Sequence, residues 1–166
     1  MTGELPAAID RAFARHDAFE RDGDGFVVGT TVFEGRVTAV DGGGRAVYTV
    51  TVPVPSIRAT TADEVGEAVA EGWLDTLRRR LADAPVATRS DIDLETFDVE
   101  RDGEDVYVTY GFEWDDPSRA ADIAKTLIEY VEGTYVEGVI PGYEYESPVA
   151  DLLDRASQGE GGGTPL

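Results

Sequence analysis

The residues of this chain best suited to chemistry are acids, and one spacing of them looks like a metal loop. Residues 20–28 read ERDGDGFVV. Glu20, Asp22, Asp24 and Gly25 fall on positions one, three, five and six of a calcium-loop pattern, with Val27 at its hydrophobic eighth. Position twelve needs a bidentate glutamate, and Thr31 stands there. A β-pattern follows where a flanking helix belongs. A near copy, ERDGEDVYV at residues 100–108, has Asp105 in place of the turn glycine. The copies share a polar arm, an Asp-Gly pair and a β-run, so both are expected to turn the chain rather than bind metal. A second acidic group, Glu113, Asp115 and Asp116, could hold a divalent ion or do acid–base work. Against that stands the plainer reading of acids capping a helix N-terminus.

The remaining candidates are few. His16 is the only histidine, and it sits where a helix should end, which suits a dipole contact better than catalysis. Arg78, Arg79 and Arg80 form the one basic run. They could touch nucleic acid, but pairs such as Asp75 with Arg79 account for them on a helix. No phosphate-cradling glycine loop, nucleophile elbow or paired-histidine zinc motif is present. With no cysteine, disulfides, thiolate metal sites and a cysteine nucleophile are excluded. No catalytic, cofactor-binding or metal-binding residue is therefore assigned. Tyr130, Tyr135, Tyr143 and Tyr145 crowd a stretch rich in glycine and glutamate. Tyrosines there pack on a sheet with hydroxyls at the rim, or serve an interface. They are the candidate partner-binding residues.

The elements that must position these groups follow from periodicity. Leu5, Ile9 and Phe13 predict a helix with Pro6 in its first turn. Residues 19–21 are a candidate short strand, and a long β-pattern is expected from Phe26 to about Val40, with Val27, Phe33 and Val37 on one face. DGGG at 41–44 makes a hairpin connection to a strand in which Tyr48, Val50, Val52 and Val54 alternate. A helix is predicted over 61–83, opened by a Thr61–Glu64 capping box, with a stripe of Val65, Val69, Trp73, Leu77 and Leu81. A strand over 92–101, with a bulge near Glu95, leads into the strand from Val106 to Trp114. Pro117 opens a helix whose stripe is Ile123, Leu127 and Val131, ending before Pro141. A short helix after Ser147-Pro148 and a flexible tail over 158–166 close a single domain, residues 1–157. The fold class is α+β: an antiparallel sheet with helices on one face, in the order α-β-β-β-α-β-β-α plus a short C-terminal helix.

Composition speaks to setting more than to activity. There are 34 acids against 14 bases in 166 residues, a formal charge of −20, and Lys125 is the only lysine. The acids are spread through every segment. Such a chain repels itself in dilute salt and is screened in concentrated salt, which predicts a haloarchaeal, salt-in cytoplasm. Acidity is then background and does not imply a basic partner. With no signal-like start and no apolar run long enough to cross a bilayer, a cytoplasmic protein without a membrane partner is expected.

The element order resembles the type III secretion chaperone-like fold, which includes YbjN-like proteins, across about residues 4–140. The chain also looks like one of the small uncharacterised families of haloarchaea. The first resemblance implies a binding or chaperone-type protein, often a dimer, and supplies no catalytic residue. The leading expectation is a non-enzymatic protein-binding or chaperone-like module, with a homodimer as one form of partnership and no cofactor. Alternatives are a carboxylate-based metal- or small-ligand-binding protein or enzyme, and a nucleic-acid accessory factor.

Overall fold

Two copies of one turn set the edges of the sheet. A computed structural model describes residues 6–43 and 45–163. In it β1 (Phe19–Asp22) and β2 (Gly25–Val28) form a hairpin with Glu20 opposite Val27, Arg21 opposite Phe26 and Asp22 opposite Gly25. The second copy, in β5 (Thr96–Asp102) and β6 (Asp105–Trp114), repeats that register: Glu100 faces Tyr107, Arg101 faces Val106 and Asp102 faces Asp105. Gly23 and Gly103 take φ of 63° and 66° at the first turn position, while Asp24 and Glu104 do not have positive φ. That is the pattern of a type II′ turn, in which glycine is favoured at the first central position and the turn's twist matches the strands. Between the hairpins lie β3 (Arg36–Asp41) and β4 (Ala46–Pro55), giving an antiparallel six-stranded order β1-β2-β3-β4-β6-β5.

The helices gather on one face. α1 (Ala7–Arg15) buries Ile9 and Phe13, four residues apart. α4 (Pro117–Gly138) runs between α1 and α2 (Glu67–Leu81) and buries Ile123, Leu127, Ile128 and Val131 against the sheet. Tyr48, Val50, Val52 and Val54 of β4 and Val106, Val108, Tyr110 and Phe112 of β6 supply the sheet's side of this core, all at most 1% exposed. A helical turn, α3 (Ala84–Ala87), follows α2, and α5 (Val149–Gly163) packs on α4. Among the described residues no helix is long and apolar enough to cross a membrane.

The α+β class and the antiparallel sheet are as expected, but the order carries one more strand and one more helical turn. The β-pattern from Phe26 to Val40 breaks in two. Residues 29–35 leave the sheet, and Phe33 turns into the core edge-on to Tyr135 at 5.0 Å, its N–H donating to Glu132 at 2.6 Å. Gly35 follows Phe33 close against Ile128 of α4. Val27 and Val37 consequently lie on opposite faces, not one. α2 begins at Glu67 rather than Thr61. Thr61 instead closes a local turn with the Asp63 N–H, Asp63 accepts from Glu144 N–H at 2.7 Å, and Val69 is left 44% exposed. β5 begins at Thr96, so the break at Glu95 is a strand end and not a bulge. α5 reaches Gly163, into the stretch expected to be a flexible tail; the tail's residues 164–166 lie outside the described residues.

Candidate functional site

In the first ERDG copy, Arg36 reaches across from β3 to take both aspartates: Nη1 to Asp22 at 2.8 Å and Nη2 to Asp24 at 2.9 Å, with a further bond to the Asp22 carbonyl. These bonds to Asp24 and Asp22 raise the Arg36 pKa, outweighing desolvation. Two of the three acids that resemble calcium ligands, Asp22 and Asp24, are thus already held by one guanidinium, and their loop is a hairpin turn. Glu113, Asp115 and Asp116 do not converge either. Asp116 caps α4 by accepting from Ser118 N–H at 3.1 Å. Glu113 lies on the sheet beside Glu95, whose pKa is raised by desolvation and then by Glu113's charge, with Arg45 opposing. Among the described residues no group of three or more acids or histidine is placed to hold a metal ion.

His16 caps α1, as its position suggested, and ties it to α4. The Ala18 N–H donates to Nδ1 at 3.2 Å, so Nε2 carries the proton shared with Asp122 at 2.9 Å. The arginine run stays exposed and is engaged by neighbouring groups. Arg78 pairs with Asp75, the partner foreseen for Arg79, and donates to the Val99 carbonyl at 3.0 Å. Arg79 donates to Thr76, and Arg80 approaches Glu137 at 4.0 Å.

The tyrosines divide. Tyr135 is fully buried, its hydroxyl donating to the Pro55 carbonyl at 2.8 Å, with burial raising its pKa well above the ordinary tyrosine range. It is core and out of reach of a partner, which corrects its place among the binding residues. Tyr130 braces α4 to α2 through the Arg80 carbonyl at 3.0 Å. Tyr145 closes the 140–145 turn by accepting from Ile140 N–H and donating to Ile140 O. Tyr143 stands edge-on to Tyr145 at 6.5 Å and is half-buried. Burial likewise governs Tyr48. Its pKa is pushed up to about 12 by desolvation and then by the charge of Asp116, and its hydroxyl has no partner.

The surface that remains is the second face of the sheet. With α1, α2 and α5 all packed about α4, no helix among the described residues covers it. Alternation places Val27, Thr38, Val40, Val47, Thr49, Thr51, Pro53, Tyr107 and Thr109 there. Registers align them in rows: Thr38, Thr49, Gly111 and Thr96 in one, and Arg36, Thr51, Thr109 and Asp98 in the next. Gly111 makes room for Thr96, whose Cβ would stand 3.0 Å from a Cβ added there. Val40 is 59% and Tyr107 37% exposed, two of the four large apolar side chains left exposed among the described residues. Glu20, Asp98, Glu100 and Glu113 sit toward its margins. Arg36 of β3 also stands on this face, paired with Asp22 and Asp24, and the rest of the centre is uncharged and largely β-branched, a surface suited to contact rather than to chemistry.

Residues 14–155 match the model of DUF5813, described as a family of unknown function. No curated protein and no solved structure matches the chain.

Proposed function

We propose, for a chain that belongs to DUF5813, a family of unknown function, that it is a non-enzymatic protein-binding module whose partner docks on the uncovered face of the sheet. The observation that carries this reading is the exposure of Val40 and Tyr107 on a face whose one central charge, Arg36, is already met by Asp22 and Asp24. In a chain of net charge −20, a surface whose unpaired acids stand only toward its margins is the place where another protein can approach while burying few unpaired carboxylates. The same charge supports a salt-rich cytoplasm of a haloarchaeon as its setting, where screening lets such a surface find its partner. The chaperone-like role belongs to this proposal through the architectural resemblance alone.

The test is capture of the tagged protein from its own cytosol in concentrated KCl, beside a Val40→Asp, Tyr107→Asp variant of unchanged circular dichroism. A stoichiometric partner bound by the parent and lost by the variant is expected. A partner retained equally by both, or no partner for either, refutes the sheet face as the docking surface.

A further inference from the structure

The two ERDG hairpins share a register but not the fate of their arginines. Arg21 pairs with Asp10 and lies over the Phe26 ring at 5.7 Å. Arg101, its register equivalent, has no acidic partner within 4.0 Å among the described residues; it lines a cavity instead. That cavity, of about 220 Å³ and open to solvent on one side, is bounded by the segment after β4 and the first turns of α2. Arg58 lines it too, and likewise lacks an acidic partner among the described residues. Its Nε donates to the Val65 carbonyl at 2.9 Å, which fixes the guanidinium plane and leaves both terminal nitrogens to bind something else. Ser56, 6% exposed, is at the same wall. Its oxygen accepts from the Ala59 N–H at 3.3 Å, leaving the hydroxyl proton to donate. Ile57, Trp73 and Leu74 make the apolar side.

The geometry points to a binding site for a small organic monocarboxylate in this cavity. Two arginines with no acid within 4.0 Å among the described residues, against the single Glu71 of the lining, give the cavity a net positive charge. Two guanidiniums and a hydroxyl lining one cavity suit a carboxylate, which takes charge-assisted bonds. The apolar wall of Ile57, Trp73 and Leu74 requires a hydrocarbon or aromatic body behind the acid. The volume lies below the roughly 300–1,000 Å³ usual for drug-sized ligands, so the ligand is small. Glu71 also lines the cavity, and its repulsion favours a single negative charge over a phosphate dianion. The second hairpin is then more than an edge: it carries one of the two anion-binding arginines to α2.

Benzoate titration tests this in a Trp114→Phe background, where Trp73 is the only indole, in KCl at fixed ionic strength. A saturable change in Trp73 emission is expected. Arg101→Gln, an exposed side chain that makes no hydrogen bond in the structure, should weaken binding by about tenfold or more, as expected for loss of one charge-assisted contact. Arg21→Gln at the equivalent place in the first hairpin should leave it unchanged. Benzyl alcohol, a neutral analogue without the carboxylate, should fail to compete. No saturable change, equal affinity in Arg101→Gln, or equal binding of benzyl alcohol overturns the site. Tighter binding of phenyl phosphate than of benzoate overturns the monocarboxylate assignment.

Discussion

Gly35→Ala is the substitution whose cost the structure fixes most closely. A Cβ at this position would stand 2.7 Å from both Cδ1 and Cγ1 of Ile128 and 2.9 Å from its Cγ2. Carbon atoms prefer about 3.5–4.0 Å, so three contacts are short by roughly 1 Å at once. Ile128 cannot swing its tip aside to relieve them, because atoms of both branches are involved and the side chain is fully buried. The φ of Gly35 is not positive, so the penalty is overpacking and not backbone strain. Overpacking of this kind costs about 1–3 kcal/mol. At roughly 2–4 °C per kcal/mol for a chain of this size, the midpoint should fall by about 2–12 °C. Urea unfolding in concentrated KCl, followed by circular dichroism, gives the free energy through the midpoint at constant slope. The decisive measurement is a double-mutant cycle. Ile128→Ala alone should cost about 2–5 kcal/mol, but it removes the atoms that the new methyl meets. The double variant should therefore be less destabilised than the sum of the singles by about 1–2 kcal/mol. Additivity within about 0.5 kcal/mol would show that the 29–35 segment moves off α4 freely, and the reasoning would fail.

Other outcomes follow from single groups. Tyr135→Phe leaves the Pro55 carbonyl without its donor and should cost about 1–2 kcal/mol in urea unfolding, with partner capture unchanged, since the hydroxyl is internal. Glu132 has its pKa raised above the ordinary 4.5, chiefly by desolvation, against the bonds from Phe33 and Val32. The folded state then holds that proton more tightly, so this group's contribution to stability falls as pH rises above 4.5 and through its folded pKa. Glu132→Gln should flatten that part of the stability–pH curve, and an unchanged slope would refute the assignment. Tyr48 has its pKa pushed from 10.0 to about 12, so stability should decline as pH rises across that interval, and Tyr48→Phe should lessen the decline; ultraviolet titration of tyrosinate in both proteins checks it. Raising KCl should raise the urea midpoint by screening a net charge of −20, and a flat response would remove self-repulsion from the account.

Elements whose packing repeats along their own sequence were legible. Ile9 and Phe13 in α1, the alternation of Val106 to Phe112 in β6, and Ile123, Leu127 and Val131 in α4 each bury the face that their spacing implies. The ERDG turns were legible because Asp-Gly chemistry is local. What failed depended on distant partners. Thr61, Asp63 and Glu64 have the spacing of a helix start, yet Asp63 is engaged by Glu144 N–H, and the turn so formed delays α2 to Glu67. The strand break at Gly29 exists because Phe33 finds Tyr135 and Glu132, each about a hundred residues away. The alternation in β4 separates Tyr48, Val50 and Val52 from Thr49 and Thr51, but which set the helices cover is a tertiary fact. Arg58, in the turn after β4, and Arg101, in β5, are far apart in sequence with ordinary neighbours, and nothing local marks them as sharing a cavity. Tyrosine crowding at 130–145 signalled packing and hydroxyl bracing more than an open surface.

The central ladder also orders events in time. β1 to β4 are joined by short connections, so each pairing there closes a small loop. β4 and β6 pair along their whole length, from Ala46 with Trp114 to Pro55 with Asp105, and every residue from 56 to 104 must be looped out before that ladder zips. Loop-closure entropy makes this the slow step of folding relative to the meander and the two type II′ hairpins. The inner faces of β4 and β6, with Tyr48, Val50, Val108 and Tyr110, are brought side by side only once this long loop has closed. In salt strong enough to screen its carboxylates, a chain in which they are still apart has little charge repulsion to keep it from another copy of itself.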